Sequence, residues 1–143
     1  MKIINTAKST ATHGRSGHVK SEDGKIDMEL SIPQSMGGKG GKGTNPEQLF
    51  ASAYAGCFGS ALEACAKKMD IELEDFSVTA TIKLGKTDEG DLNLAAILDA
   101  YLPGIDIETG EDLVNQAHEI CPFSRATRDN IDVTLNLMLD EEV

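Results

Sequence analysis

One long run, GTNPEQLFASAYAGCFGSALEACAKKM over residues 43–69, limits what this chain can fold into. It is rich in small apolar residues and places Leu49, Phe50, Ala53, Cys57, Ala61 and Leu62 on one broad helical face. Thr44 or Asn45 can cap its start, and Pro46 fits the first turn. Glu47 complements the positive end of the helix dipole. Ser52, Ser60 and Glu63 interrupt the apolar run, so it reads as a buried core helix and not as a membrane span.

The segments before it read as β-hairpins. Ile3–Thr12 predicts a short strand and residues 13–17, HGRSG, a turn. His18–Ser21 leads into Glu22-Asp23-Gly24, where Asp-Gly supplies the positive φ of a hairpin turn. Ile26, Met28 and Leu30 then alternate with Asp27 and Glu29 until Pro33 ends the strand. Met36–Gly43 is expected to be a flexible glycine-lysine loop; it lacks the Gly-Lys-Ser/Thr ending of a phosphate-binding loop.

After the long helix, Phe76–Leu84 and Leu92–Leu102 predict two strands, the second ended by Pro103-Gly104. Thr109-Gly110-Glu111-Asp112 resembles a capping box. It predicts a helix through Leu113, Val114, Ala117 and Ile120 that stops at Cys121-Pro122, because proline cannot continue it. Ile131–Leu139 alternates and is the final strand. Hairpins, helix, hairpin, helix, strand is an α+β order. At 143 residues the chain is expected to form one domain, 1–143, or one subunit of a small oligomer.

Composition excludes several function classes. A hydrophobic fraction of 40% can build a core, which argues against wholesale disorder. A formal net charge of −11 repels phosphate and anionic lipid, so neither nucleic acid nor membrane is an expected partner. No charged-then-apolar leader follows Met1, which points to a reducing cytoplasmic compartment. There, disulfides are transient and catalytic, and three cysteines do not make a stapled framework. His13, His18 and His118 are not paired at zinc-site spacing, so no metal is expected.

What remains is thiol chemistry. A thiol becomes a nucleophile when a nearby cation lowers its pKa from about 8.5. Cys57 lies about three turns inside its helix, too far from the N-terminus for the dipole to help. Arg15, between Gly14 and Ser16-Gly17, is a suitable cation, and Glu47 is a suitable partner to hold it. Against this stands the reading of Cys57 as a small core residue. Cys121 sits near a helix C-terminus, where a thiolate is disfavoured. That suits a thiol that attacks second, or a packed core cysteine. Cys65 lies two turns beyond Cys57, an axial rise of about 12 Å, too far for a disulfide on one straight helix. Arg125 and Arg128 near Cys121 read as solvated surface residues, with a cationic rim as the alternative.

Three stretches carry a resemblance: TATHGRSGHVKSEDGKIDMELSIPQSMGGKG from Thr10, GTNPEQLFASAYAGCF over 43–58, and CPFSRATRDNIDVTL over 121–135. Together they resemble the organic hydroperoxide resistance proteins of the Ohr/OsmC superfamily. The glycine-arginine loop and the cysteine-proline segment favour that branch over the sister branch, the osmotically inducible peroxidases. The chain departs from the family at His13, Ser52, Gly56 and Cys65, and matches it weakly around Leu94–Leu102.

The resemblance implies an OsmC-like α+β fold, an intertwined homodimer with central helices wrapped by β-sheets. It implies a two-cysteine peroxidase acting on alkyl or lipid hydroperoxides. Cys57 would become a sulfenic acid and Cys121 would close a disulfide with it. Arg15 would lower the Cys57 pKa and polarise the peroxide, and Glu47 would orient Arg15. No cofactor is expected to be bound; dihydrolipoyl groups of lipoylated proteins would act as external reductant. Two other functions compete: a non-enzymatic peroxide sensor, and a small-molecule binding protein with a dead site, which would keep the fold but show no thiolate at neutral pH.

Overall fold

A computed structural model describes residues 1–140. The chain falls into two compact units, Met1–Leu49 and Phe50–Val143.

The first unit holds three antiparallel strands, β1 (Ser9–Thr12), β2 (His18–Ser21) and β3 (Asp27–Glu29), in the order β1-β2-β3. Thr12 pairs with His18, and Val19 with Met28. The β1–β2 connection is a single 3-10 turn, Gly14–Ser16, entered through left-handed backbone at His13 and Gly14. Gly17 closes it so tightly that a Cβ there would lie 1.9 Å from the Thr12 carbonyl oxygen, so only glycine fits. Arg15 is therefore held on a turn whose geometry admits little variation. The Asp-Gly turn forms as expected, with Gly24 at φ 77 and the Ser21 hydroxyl accepting from the Ile26 N–H at 2.9 Å.

The first strand is shorter than Ile3–Thr12, because ladder pairing begins only at Ser9. The glycine-lysine loop is tied back on itself: the Gly38 N–H donates to Pro33 and the Gly40 N–H to Ile32, each at 3.0 Å.

Helix α1, Pro46–Lys68, passes from the first unit into the second. Of the two possible caps Asn45 makes the contact, its side chain accepting from the Gln48 N–H at 2.9 Å. Among the described residues α1 is the one helix long and apolar enough to cross a membrane by length and composition alone. Its Tyr54, Phe58, Ala61, Leu62, Cys65 and Ala66 are instead buried in the core of the second unit.

That unit continues with β4 (Ser77–Lys86), β5 (Leu92–Tyr101), α2 (Ile107–Ile120), α3 (Pro122–Thr127) and β6 (Asp132–Met138). β4 and β5 form an antiparallel hairpin, while β6 runs parallel to β5, pairing Ala95 with Asp132 through to Tyr101 with Met138. A parallel pair needs a crossover, and α2 and α3 supply it. The inner face of β5 (Ala96, Leu98, Ala100) packs with Leu113, Val114 and Ala117 of α2 and the buried side of α1.

Two expectations are corrected here. α2 begins at Ile107, not after Thr109: the Asp106 carboxylate accepts from the Thr109 N–H at 3.1 Å, so Asp106 is the cap and Thr109 already lies inside. And the chain does not leave helix at Pro122. Proline ends α2 but occupies the first position of α3, where its missing N–H costs nothing.

Candidate active site

The two thiols expected to react lie in the second unit and are adjacent. Cys121 Sγ is 3.5 Å from Cys57 Sγ, within reach of an S–H···S contact. Cys57 projects from the middle of α1. Cys121 occupies the corner between two helices: its N–H donates to Ala117 at the end of α2, and its carbonyl accepts from the Arg125 N–H at the start of α3. Both backbone groups are thus committed, which fixes where the sulfur points. The expected setting of Cys121 at a helix C-terminus is only half of what is seen, since the same residue caps the N-terminus of α3.

Access separates the two sulfurs. Cys121 is fully buried, whereas Cys57 is partly exposed. Of the two sulfurs, only that of Cys57 is on a residue open to solvent. Burial pushes the Cys57 thiol above its ordinary value, the Phe123 N–H acts in the opposite direction, and the neighbouring Cys121 adds to the rise. Cys65 is buried and pushed up by desolvation, as befits a packing residue.

Three rings line this region. Phe50 and Phe123 meet edge to face at 6.1 Å, Phe50 and Tyr54 at 6.2 Å, and Tyr54 and Phe123 at 5.9 Å. Phe50, Tyr54 and Cys57 share one face of α1, at spacings of four and three residues. Below them lies a hydroxyl cluster that the sequence reading did not identify. The Tyr54 hydroxyl is 2.8 Å from Ser124 Oγ and 3.0 Å from Thr127 Oγ1, and all three residues are buried. The signal was present as two hydroxyl residues three apart, Ser124 and Thr127, at the spacing that puts both on one side of a helix.

Arg15 and Glu47 pair within the first unit. The guanidinium donates twice to the carboxylate, at 2.8 and 2.7 Å, in a two-pronged contact. Hydrogen bonding to Arg15 holds the Glu47 carboxyl below its usual value, and hydrogen bonding to Glu47 raises that of Arg15. The structure thus joins the four expected site residues as two pairs, Arg15 with Glu47 and Cys57 with Cys121.

Elsewhere, Arg128 is not a solvated surface residue: its guanidinium donates to the His118 carbonyl at 2.7 Å. His118 Nδ1 is buried without a partner, and burial lowers the ring's pKa. Among the described residues no group of three or more His, Cys, Asp or Glu side chains lies together as a metal site.

Residues 38–136 match the family model described as OsmC-like protein. An organic hydroperoxide resistance protein of Xanthomonas axonopodis pv. citri is 44% identical over 137 residues, 95% of this chain and 96% of its own. The crystal structure of an organic hydroperoxide resistance protein from Legionella pneumophila superposes with a TM-score of 0.91 at 43% identity, covering 96% of this chain and 100% of that one. The organic hydroperoxide resistance protein OhrB of Bacillus subtilis superposes with a TM-score of 0.85 at 44% identity, over 93% and 98%.

Proposed function

This chain belongs to the organic hydroperoxide resistance branch of the OsmC-like protein family, and on that premise we propose that it is a two-cysteine peroxidase reducing alkyl or lipid hydroperoxides. The observation that carries this is the contact between a partly exposed Cys57 sulfur and a fully buried Cys121 sulfur 3.5 Å away. In the proposed reaction the Cys57 thiolate attacks the outer oxygen of ROOH. The O–O bond breaks, Cys57 becomes a sulfenic acid, and the leaving alkoxide takes a proton to become an alcohol. Cys121 then attacks the sulfenic sulfur, a disulfide forms and water leaves.

A thiol raised by burial is a poor nucleophile at neutral pH, so the reaction needs a counter-charge. We assign that role to Arg15, held by Glu47, in keeping with the family resemblance. Phe50 and Phe123 supply an apolar wall that favours an organic hydroperoxide over hydrogen peroxide.

The reductant is assigned by resemblance: dihydrolipoyl groups on lipoylated proteins, with no bound cofactor. A homodimer is supported by the first unit, where β1 and β3 are exposed along their whole length and Ile26 and Met28 face solvent. A second copy of the chain would cover these two apolar side chains and the exposed strand edges. Three free thiols fit a reducing cytosolic setting.

The test is steady-state consumption of cumene hydroperoxide with dihydrolipoamide as reductant. Sustained turnover that vanishes in Cys57→Ser is expected. Consumption of a single equivalent, with no turnover under any dithiol, would leave a sensor and not an enzyme.

A further inference from the structure

Beyond the two cysteines, we propose that Tyr54 is a positioning residue, whose buried hydroxyl clamps α3 to α1 and so sets the distance over which Cys57 and Cys121 form their disulfide. The proposal rests on the two-cysteine reading above. Tyr54 stands three residues before Cys57 on α1, and Ser124 stands three residues after Cys121 on α3. The clamp therefore lies about one helical turn from each sulfur, one end on each backbone that must approach.

Its hydrogen bonds run in one consistent direction. Thr127 Oγ1 donates to the Ser124 carbonyl at 3.3 Å, so it accepts from the Tyr54 hydroxyl, which in turn accepts from Ser124 Oγ. Each hydroxyl proton is used and none of the three groups is left unpaired. A buried network satisfied in this way holds a single arrangement. Packing alone would not need it: Tyr54 lies in the aromatic cluster with Phe50 and Phe123, and a phenylalanine would fill the same place.

Disulfide closure must bring the sulfurs from 3.5 Å to about 2.05 Å. In that step Cys121 attacks the Cys57 sulfenic sulfur, the S–O bond breaks, and the thiol proton departs with the hydroxyl as water. A small displacement of α3 along α1 acts directly on this approach. The attack of Cys57 on peroxide does not use the Cys121 sulfur, so the two steps can be measured separately.

The experiment equilibrates the native protein, Tyr54→Phe and Ser124→Ala with mixtures of reduced and oxidised glutathione. The Cys57–Cys121 disulfide is read by differential thiol labelling and mass spectrometry, and folding is checked by circular dichroism. The effective concentration of the two thiols is expected to fall by about tenfold in each folded variant. With the Cys121→Ser change added, sulfenic acid formation, trapped with dimedone, is compared with Cys121→Ser alone, and the clamp variants are expected to change it far less than they change the disulfide equilibrium. A merely structural role would lower thermal stability and leave the redox equilibrium native; that result in either folded variant overturns the clamp. If the native protein forms the disulfide under glutathione but not under peroxide, the peroxidase reading falls. The clamp is then still decided by the glutathione equilibrium.

Discussion

The Cys121 sulfur lies 3.5 Å from that of Cys57 while Cys121 is itself fully buried, so the two thiols meet each other but only one meets the solvent. This asymmetry predicts different phenotypes for the two serine variants. Cys57→Ser is expected to abolish reaction with hydroperoxide altogether. Cys121→Ser is expected to keep the first reaction and stall there. Its sulfenic acid, with no thiol to close on, would be driven to sulfinic acid by excess peroxide. Intact-mass analysis after stepwise addition checks this, and oxygen uptake by Cys57→Ser but not by Cys121→Ser would reverse the assignment of first and second thiol.

The protonation state of Cys57 gives a second prediction. Burial lifts its pKa above the ordinary thiol value, so a nearby cation is needed to favour the thiolate at neutral pH. If Arg15 supplies the counter-charge, Arg15→Ala should react with hydroperoxide at a rate that climbs about tenfold per pH unit from 7 to 9. The native rate should vary much less over that range, and Arg15→Lys should recover only part of the difference. Stopped-flow rates across pH decide it. Parallel profiles for native protein and Arg15→Ala would remove Arg15 from the chemistry.

The Arg15–Glu47 pair also makes stability depend on pH. The folded Glu47 carboxyl lies below its usual 4.5, so its contribution is fully present above that value and is lost as pH falls through the lower folded value. Arg15 is about a third exposed, so solvent screening holds the contribution of the pair to about 1 kcal/mol. Glu47→Gln should therefore lower stability at neutral pH and approach the native protein as pH falls below the usual carboxylate range. Urea titrations at neutral pH and at a series of acid pH values test the convergence.

How far these features could be read from sequence depends on the range of the interactions that create them. The cap and first turn of α1 are local chemistry: Asn45, Pro46 and Glu47 lie within three residues, and the helix starts where they indicate. The start of α2 was misplaced because two acceptors competed. Asp106 wins through one hydrogen bond to the Thr109 N–H, and the Thr109–Asp112 pattern never forms a cap.

Reading Pro122 only as a stop missed α3, because the same ring that ends one helix is well suited to begin the next. The parallel pairing of β5 with β6 was not legible in either strand. It depends on the path of α2 and α3 between them, which strand periodicity does not encode. The thiol pair was approached through family likeness, since 64 residues separate the sulfurs and no local rule joins them. The Tyr54 hydroxyl cluster spans 70 and 73 residues, and its partners looked like ordinary polar turn residues.

Two glycines in helix interiors provide the last prediction, because the same substitution should act with opposite sign. Replacing a helical glycine by alanine removes about 0.5–1 kcal/mol of unfavourable backbone entropy, provided the new methyl group has room. At Gly59 in α1 a Cβ would meet Phe76 at 3.8 Å and Val78 at 3.9 Å, ordinary contact distances. Gly59→Ala should therefore stabilise the fold by about that amount. Gly110 in α2 is buried against β6, and a Cβ there would lie 2.8 Å from one Leu137 methyl and 3.0 Å from the other. Leu137 would have to leave its rotamer or α2 would have to shift, and overpacking of this kind costs about 1–3 kcal/mol. The overpacking outweighs the propensity gain, so Gly110→Ala should be destabilised by about 1 kcal/mol net. Thermal melts of the two variants should then shift in opposite directions by a few degrees, about 2–4 °C per kcal/mol for a chain of this size. A rise in both melting temperatures would mean that Leu137 yields freely, and that the contact between α2 and β6 is looser than its distances indicate.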